Sequence, residues 1–164
     1  MTGDFKIPTS FTSPTFGSLD WDATLSKMVA YMGSDTTASY EVIIGTDSEA
    51  QNGTADYVSA LIVHKKGSGG VYFWSRQRLE KIFSMRQRIL QEALMSLQIA
   101  EKLVGDFAAL GLVDLNLEIH VDVGPNGPTR DLIAEIVGMI RANGFRVQTK
   151  PASWGASHVA DRHV

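Results

Sequence analysis

Val42-Ile43-Ile44-Gly45-Thr46-Asp47-Ser48-Glu49 is the stretch on which the fold turns. Its first four residues form a short apolar run without alternation, the pattern of a strand covered on both faces. The run delivers a carboxylate, Asp47, followed by small polar residues. An ionised carboxylate at the end of a central strand is partly buried, so it needs a cation, a hydrogen-bond donor or a shifted pKa. Taken alone, Asp47 reads as a turn aspartate bonded to its own backbone. Its neighbours along the chain change that reading.

Downstream, residues 57–64 and 71–74 read as two further strands, with the Lys65-Lys66-Gly67-Ser68-Gly69-Gly70 loop between them, so three strands form an antiparallel meander. Residues 79–104 read as a long helix, with Ile82, Ile89, Ala93, Leu97, Ala100 and Val104 on one stripe. Residues 115–123 alternate strictly. Leu115, Leu117, Ile119, Val121 and Val123 face one side, with Asn116, Glu118, His120 and Asp122 on the other. The Gly124-Pro125-Asn126-Gly127-Pro128 turn offers Pro128 as a first helical residue. A helix through Leu132, Ile133, Ile136, Val137 and Ile140 follows and stops at Asn143-Gly144. Residues 145–149 read as a fifth strand and 154–161 as a last short helix, where Gly155, Ala156 and Ala160 permit close approach to the sheet.

Upstream, Ser18 or Asp20 caps a helix carrying Leu25, Met28, Val29 and Met32. Residues 1–18, rich in Thr, Ser, Pro and Gly, read as an extended arm pinned by Phe5, Phe11 and Phe16. The expectation is therefore an arm at 1–18 and one α/β domain at 19–164. Its sheet is mixed and five-stranded, with three meander strands, then two parallel strands, and helices flanking it.

Bulk composition narrows the function. The 164 residues are 44% apolar, enough for one domain with a real core. A net charge of −3 does not mark a strong nonspecific duplex binder. Without cysteine there are no disulfides and no thiolate metal sites. The opening MTGDFKIPTSF lacks a signal-peptide pattern, and no apolar run reaches spanning length, so the expectation is a soluble, cytoplasmic protein with no membrane partner.

Four acids carry the chemistry. Asp47 and Asp122 end strands that, as parallel neighbours, deliver both carboxylates to one edge. Glu92 lies a quarter-turn off the apolar stripe of the long helix, beside Met85, Ser96 and Leu103. Asp161 shares a helical face with Ser157 and His158. Converging carboxylates repel unless cations hold them, and Mg²⁺ or Mn²⁺ suits an all-oxygen set. A pair of such ions activates water and stabilises the leaving oxygen in phosphodiester cleavage. Each acid alone has a plain structural reading; the element order joins them. Arg130, with Thr129 at a helix N-terminus, suits a phosphate contact. His158 suits orientation of a water or product release. Arg76, Arg78, Lys81, Arg86 and Arg88 read either as a steering surface for a phosphate backbone or as a solvated face. Trp74 and Trp154 read as core or as base-stacking residues. The four scattered histidines do not suggest a zinc site.

The runs IGTDSE (44–49), EIHVDVGPNGPTR (118–130), GMIRANGF (138–145) and KPASWGASHVADRH (150–163) resemble the YkuK-type family of bacterial ribonuclease H-like proteins, over about residues 38–163. The resemblance implies a ribonuclease H-like fold in which three or four carboxylates hold two divalent ions. Its first-strand Asp falls on Asp47, its first-helix Glu on Glu92 (Glu80 and Glu101 share that helix), its fourth-strand Asp on Asp122 and its last-helix acid on Asp161. The implied function is nucleic-acid cleavage. No long basic insertion for gripping an RNA–DNA hybrid is present, and RNA versus DNA stays open, as does oligomeric state. The alternatives are a ribonuclease H-like module that binds metal or nucleic acid without cleaving, and a structural protein with vestigial acids.

Overall fold

The apolar run lies in β3 (Tyr40–Gln51), and the computed structural model describes residues 5–164, the side chains of 156 and 157 excepted. Val42, Ile43 and Ile44 are at most 1% exposed, so the strand is covered on both faces as its pattern predicts. β3 pairs antiparallel with β4 (Thr54–Lys65), and β4 with β5 (Gly70–Glu80). On the other side β6 (Leu117–His120) runs parallel to β3, and β7 (Arg146–Gln148) parallel to β6.

One face is closed by three helices, α1 (Trp21–Gly33), α2 (Met85–Ala109) and α3 (Ile133–Ala142). Leu25 and Met28, Ile89 and Phe107, and Ile136 and Ile140 join Val42, Ile44, Phe73 and Ile119 in one core. The opposite face presents Ile43, Val58, Ala60 and Ile62, and the C-terminal segment covers it through Ala160, Trp154 and Val159. Asp20 starts α1 by accepting from the Ala23 N–H at 2.7 Å. No helix among the described residues is long and apolar enough to cross a membrane.

The sheet has seven strands, in the order β2-β1-β5-β4-β3-β6-β7, and not five. The extra pair comes from the expected arm, where β1 (Ser10–Ser13) and β2 (Gly17–Asp20) form a hairpin against the free edge of β5. The reason is burial. Phe11 is 2% exposed, and Phe16 stacks on Phe73 with centroids 6.0 Å apart. Gly17, at φ +76°, turns the chain between the strands. The aromatic anchoring was legible, and the strand pairing it imposes was not. Residues 1–4 of the arm lie outside the described residues. Phe16→Ala is expected to cost about 1–2 kcal/mol in urea melts, from lost area and ring stacking. An unchanged midpoint would mean that the hairpin is only loosely attached.

The long helix begins six residues later than its periodicity suggests. Leu79 and Glu80 still belong to β5, Lys81 turns the chain at φ +62°, and Ser84 caps α2 by accepting from the Gln87 N–H at 3.0 Å. Gln87 Oε1 reaches back to accept from the Phe83 N–H at 3.0 Å. Ile82 is buried as expected, but outside the helix, against Tyr57 and Met95. Only 117–120 of the alternating segment pair as strand, although Val121 and Val123 stay buried. A 3₁₀ turn (Arg130–Leu132) precedes α3, so Pro128 is not a first helical residue. The last helix is a π-helical turn (Gly155–Ala160) followed by a 3₁₀ turn (Asp161–His163).

Candidate carboxylate site

The rungs joining β3 and β6 run from Val42↔Leu117 to Gly45↔His120. Asp47 and Asp122 each lie two residues past the last rung, at equivalent heights on parallel strands. Carboxyl ends of parallel strands, where the chain switches neighbours, are the usual crevices of α/β sheets. Here β3 is that switch, antiparallel to β4 on one side and parallel to β6 on the other.

Asp47 is 8% exposed, and Asp122 is half-buried. Glu92 enters from α2 and is 4% exposed. The Ser48 hydroxyl donates to Glu92 Oε1. Arg88, one turn earlier on α2, donates through Nη1 to the Ser48 carbonyl at 2.9 Å. Beneath them Thr46 Oγ1 joins Ser59 at 2.9 Å and Ser96 at 2.8 Å. Asp161, exposed at the start of the last 3₁₀ turn, comes within hydrogen-bonding reach of Asp47.

Burial pushes the Asp47 carboxyl up to about 7, and the hydrogen bond with Asp161 adds to the rise. The Ser48 backbone N–H pulls the other way, and the charges of Asp122 and Asp161 push up again. Burial also raises Glu92 well above the usual carboxylate range; the Ser48 hydroxyl and Arg88 oppose this, while Asp47 and Asp122 reinforce it. Asp47 therefore feels Asp122 and Asp161, and Glu92 feels Asp47 and Asp122. Such upward shifts are what unneutralised, crowded carboxylates undergo, and they cluster at functional sites.

The remaining candidates are placed differently. His120 is 1% exposed, and its Nδ1 accepts from the Gly155 N–H at 2.9 Å. Nε2 must then carry the proton, which it donates to Glu118 Oε1 at 3.0 Å. Burial lowers the His120 pKa, with Glu118 opposing. The residue is thus a neutral anchor for the C-terminal segment, not a flank of the acids. Trp154 packs edge-on against His120 and His64, both at 5.5 Å, and Trp74 stacks on His163 at 4.5 Å, so the two tryptophans are engaged in packing. His158 lies exposed in the π-helical turn ahead of Asp161; the Ser157 side chain expected beside it lies outside the described residues. Thr129 makes no side-chain cap, and Arg130 is exposed with Nε 3.6 Å from Asp131.

The basic run is divided. Arg76 and Arg78 sit on β5, and both clamp Asp56 at 2.7 Å, holding its carboxyl below the usual range. Arg86 pairs with Glu135 at 2.6 Å, and Arg88 alone of these four turns toward Glu92. Sequence reasoning missed Lys150, whose Nζ lies 3.2 Å from Asp122 Oδ1. Its signal was the continued alternation Arg146, Gln148, Lys150.

Among the described residues, no three carboxylates or imidazoles stand in a geometry ready to hold an ion. The chemistry of the donors nonetheless fits a hard cation. The set is all oxygen, and Asp122 Oδ1 is a buried acceptor with no hydrogen-bond partner among the described residues, Lys150 lying at ion-pair distance.

With this sheet, this switch point and these acids, the chain belongs to the ribonuclease H-like family, whose model matches residues 23–164. It is similar to the uncharacterized protein YkuK of Bacillus subtilis (strain 168), at 30% identity over 149 residues, 84% of this chain and 87% of that protein. No solved structure matches it. The ribonuclease H-like α/β fold implied by the resemblance is present, with the two added strands described above.

Proposed function

We propose that the protein is a divalent-metal-dependent nuclease that hydrolyses phosphodiester bonds in RNA or DNA. One observation carries the reading: Asp47 and Asp122 extend the same parallel register past its last rung, close enough to Glu92 for the charges to interact. Asp47, Glu92, Asp122 and Asp161 would hold Mg²⁺ or Mn²⁺. A bound pair of such ions supplies Lewis-acid activation of water and charge stabilisation at the leaving oxygen.

The chain's own residues do the rest. Asp47, at the centre, would have to be ionised to hold a cation. The Ser48 hydroxyl orients the Glu92 carboxyl, and Arg88 holds the Ser48 carbonyl, so that a buried acid keeps its direction. Asp161 approaches from the exposed side, where a nucleic-acid strand arrives. Thr129, Arg130 and His158 would contact phosphate or water.

The second reading, a module that binds metal or nucleic acid without cleaving, is favoured by the neutralisation of Arg76 and Arg78 by Asp56. Labelled single-stranded RNA, single-stranded DNA, both duplexes and an RNA–DNA hybrid, each with Mn²⁺, Mg²⁺ or EDTA, separate the two. Metal-dependent cutting that disappears in Asp122→Asn is the expected result. No cutting of any substrate, with Mn²⁺ still bound, would replace the nuclease by the binding module.

A further inference from the structure

Lys150 is a cation built into the carboxylate site by the backbone. The β6–β7 rungs Glu118↔Arg146 and His120↔Gln148 continue, on the same face, to Asp122 and Lys150. Past the last rung the two segments stay tied, with the Val121 N–H donating to the Gln148 carbonyl at 3.0 Å and the Lys150 N–H to the Val123 carbonyl at 2.8 Å. Gly124 makes room for the side chain, since a Cβ there would stand 2.9 Å from Lys150 Cβ. The result is Nζ at 3.2 Å from Asp122 Oδ1, the acceptor that no hydrogen bond among the described residues satisfies. The lysine side chain is 49% exposed and the aspartate 24%, so the ammonium sits at the rim with one side toward solvent.

A cluster of carboxylates repels the polyanion it is meant to receive, and a lysine at its rim offsets that field. Lysine suits a movable counter-ion: a compact charge on a flexible stem, with three donors. A divalent ion that takes Asp122 Oδ1 competes with the ammonium for the same oxygen. Once released, the half-exposed ammonium is free to meet a phosphate. We propose that Lys150 is the resident cation of this site, holding Asp122 Oδ1 until a divalent ion takes it and then contacting the phosphate of the bound strand. The second half rests on the nuclease reading, and the first does not.

The test is a calorimetric Mn²⁺ titration of the full chain as wild type, Lys150→Met, Lys150→Gln and Asp122→Asn, with circular dichroism confirming the fold of each. Both lysine variants are expected to bind Mn²⁺ roughly fivefold tighter, as removal of a half-exposed like charge implies, while Asp122→Asn loses binding. In the cleavage assay KM should rise about tenfold in Lys150→Met, with Lys150→Arg restoring most of it, as loss of one charged phosphate contact implies. Unchanged or weaker Mn²⁺ affinity in both lysine variants overturns the proposal, and an unchanged KM overturns its second half. A wild type that binds no Mn²⁺ while Lys150→Met does would uphold Lys150 as the occupant and sink the nuclease reading. If neither binds, both fall.

Discussion

Asp47→Asn is expected to abolish cleavage, by at least about 10³-fold on the scale of losing one essential charge-stabilising group, while making the metal-free chain more stable. The two effects share a cause. Asp47 keeps its proton up to about pH 7 because it is buried among other acids, whereas in the unfolded chain the same carboxyl ionises near the ordinary value of about 4. Between those pH values the folded state binds more protons than the unfolded one. The stability from this group is therefore complete below about pH 4 and is lost as pH rises through about 7. Glu92, shifted in the same direction, adds to the slope. An amide at 47 removes the cost, and the melting temperature in EDTA at pH 8 should rise by on the order of 5 °C. Mn²⁺ affinity in the wild type should run the opposite way and strengthen as pH rises, because a ligand carboxylate must shed its proton. Melts from pH 4.5 to 8 in EDTA, wild type against variant, isolate Asp47 from the half-buried acids Asp35 and Asp106, whose pKa values are lowered. A variant that still cuts, or that melts with the same pH slope as the wild type, would remove Asp47 from the site.

The second large effect is expected at Gly155, which touches no acid. Its backbone N–H is bonded to His120 Nδ1, and an added Cβ would lie 2.7 Å from Ile43 Cγ2 and 3.0 Å from His120 Nδ1. Its φ is ordinary, so the constraint is space and not backbone strain. Gly155→Val overpacks a closed interface, costing about 1–3 kcal/mol, and breaks a buried hydrogen bond, worth about 1–3 kcal/mol more when one partner is left unsatisfied. The C-terminal segment should lift from β3, taking Asp161 away from Asp47. Cleavage should then fall by about 10²-fold, in line with removal of one charge-stabilising contributor, with a red-shifted Trp154 emission reporting the lost packing. Full activity together with a native melting temperature would mean that the segment docks by some other contact, and that Asp161 is dispensable.

Much of this site was legible because local pattern carried it. The uninterrupted run at 42–45 announced a strand covered on both faces, and strict alternation from 115 placed Asp122 on the polar side. The small residues Gly155 and Ala160 foretold close approach of the last segment, and both are buried against the sheet; the side chain of Ala156, the third of that set, lies outside the described residues. The start of α2 was also in the sequence, in Ser84-Met85-Arg86-Gln87, a serine and a glutamine at capping spacing. The continuous apolar spacing through Ile82 outweighed it.

What periodicity could not supply was anything that depends on two distant segments meeting. Residues 10–20 have too little alternation to announce a strand; they form two because β5 has a free edge and Phe11 and Phe16 have a place to bury. Arg76 and Arg78 looked like helix-start charges until strand register set both against Asp56. His120, on the same alternating face as Asp122, is held instead by the Gly155 N–H, Glu118 and Trp154. Lys150 meets Asp122 only through the parallel register of β6 and β7. Residue types and local spacing settled which acids were available and which strands bore them. Long-range register and burial settled their partners and protonation, because a carboxyl's proton affinity depends on how much water and which charges surround it, and those are properties of the assembled sheet.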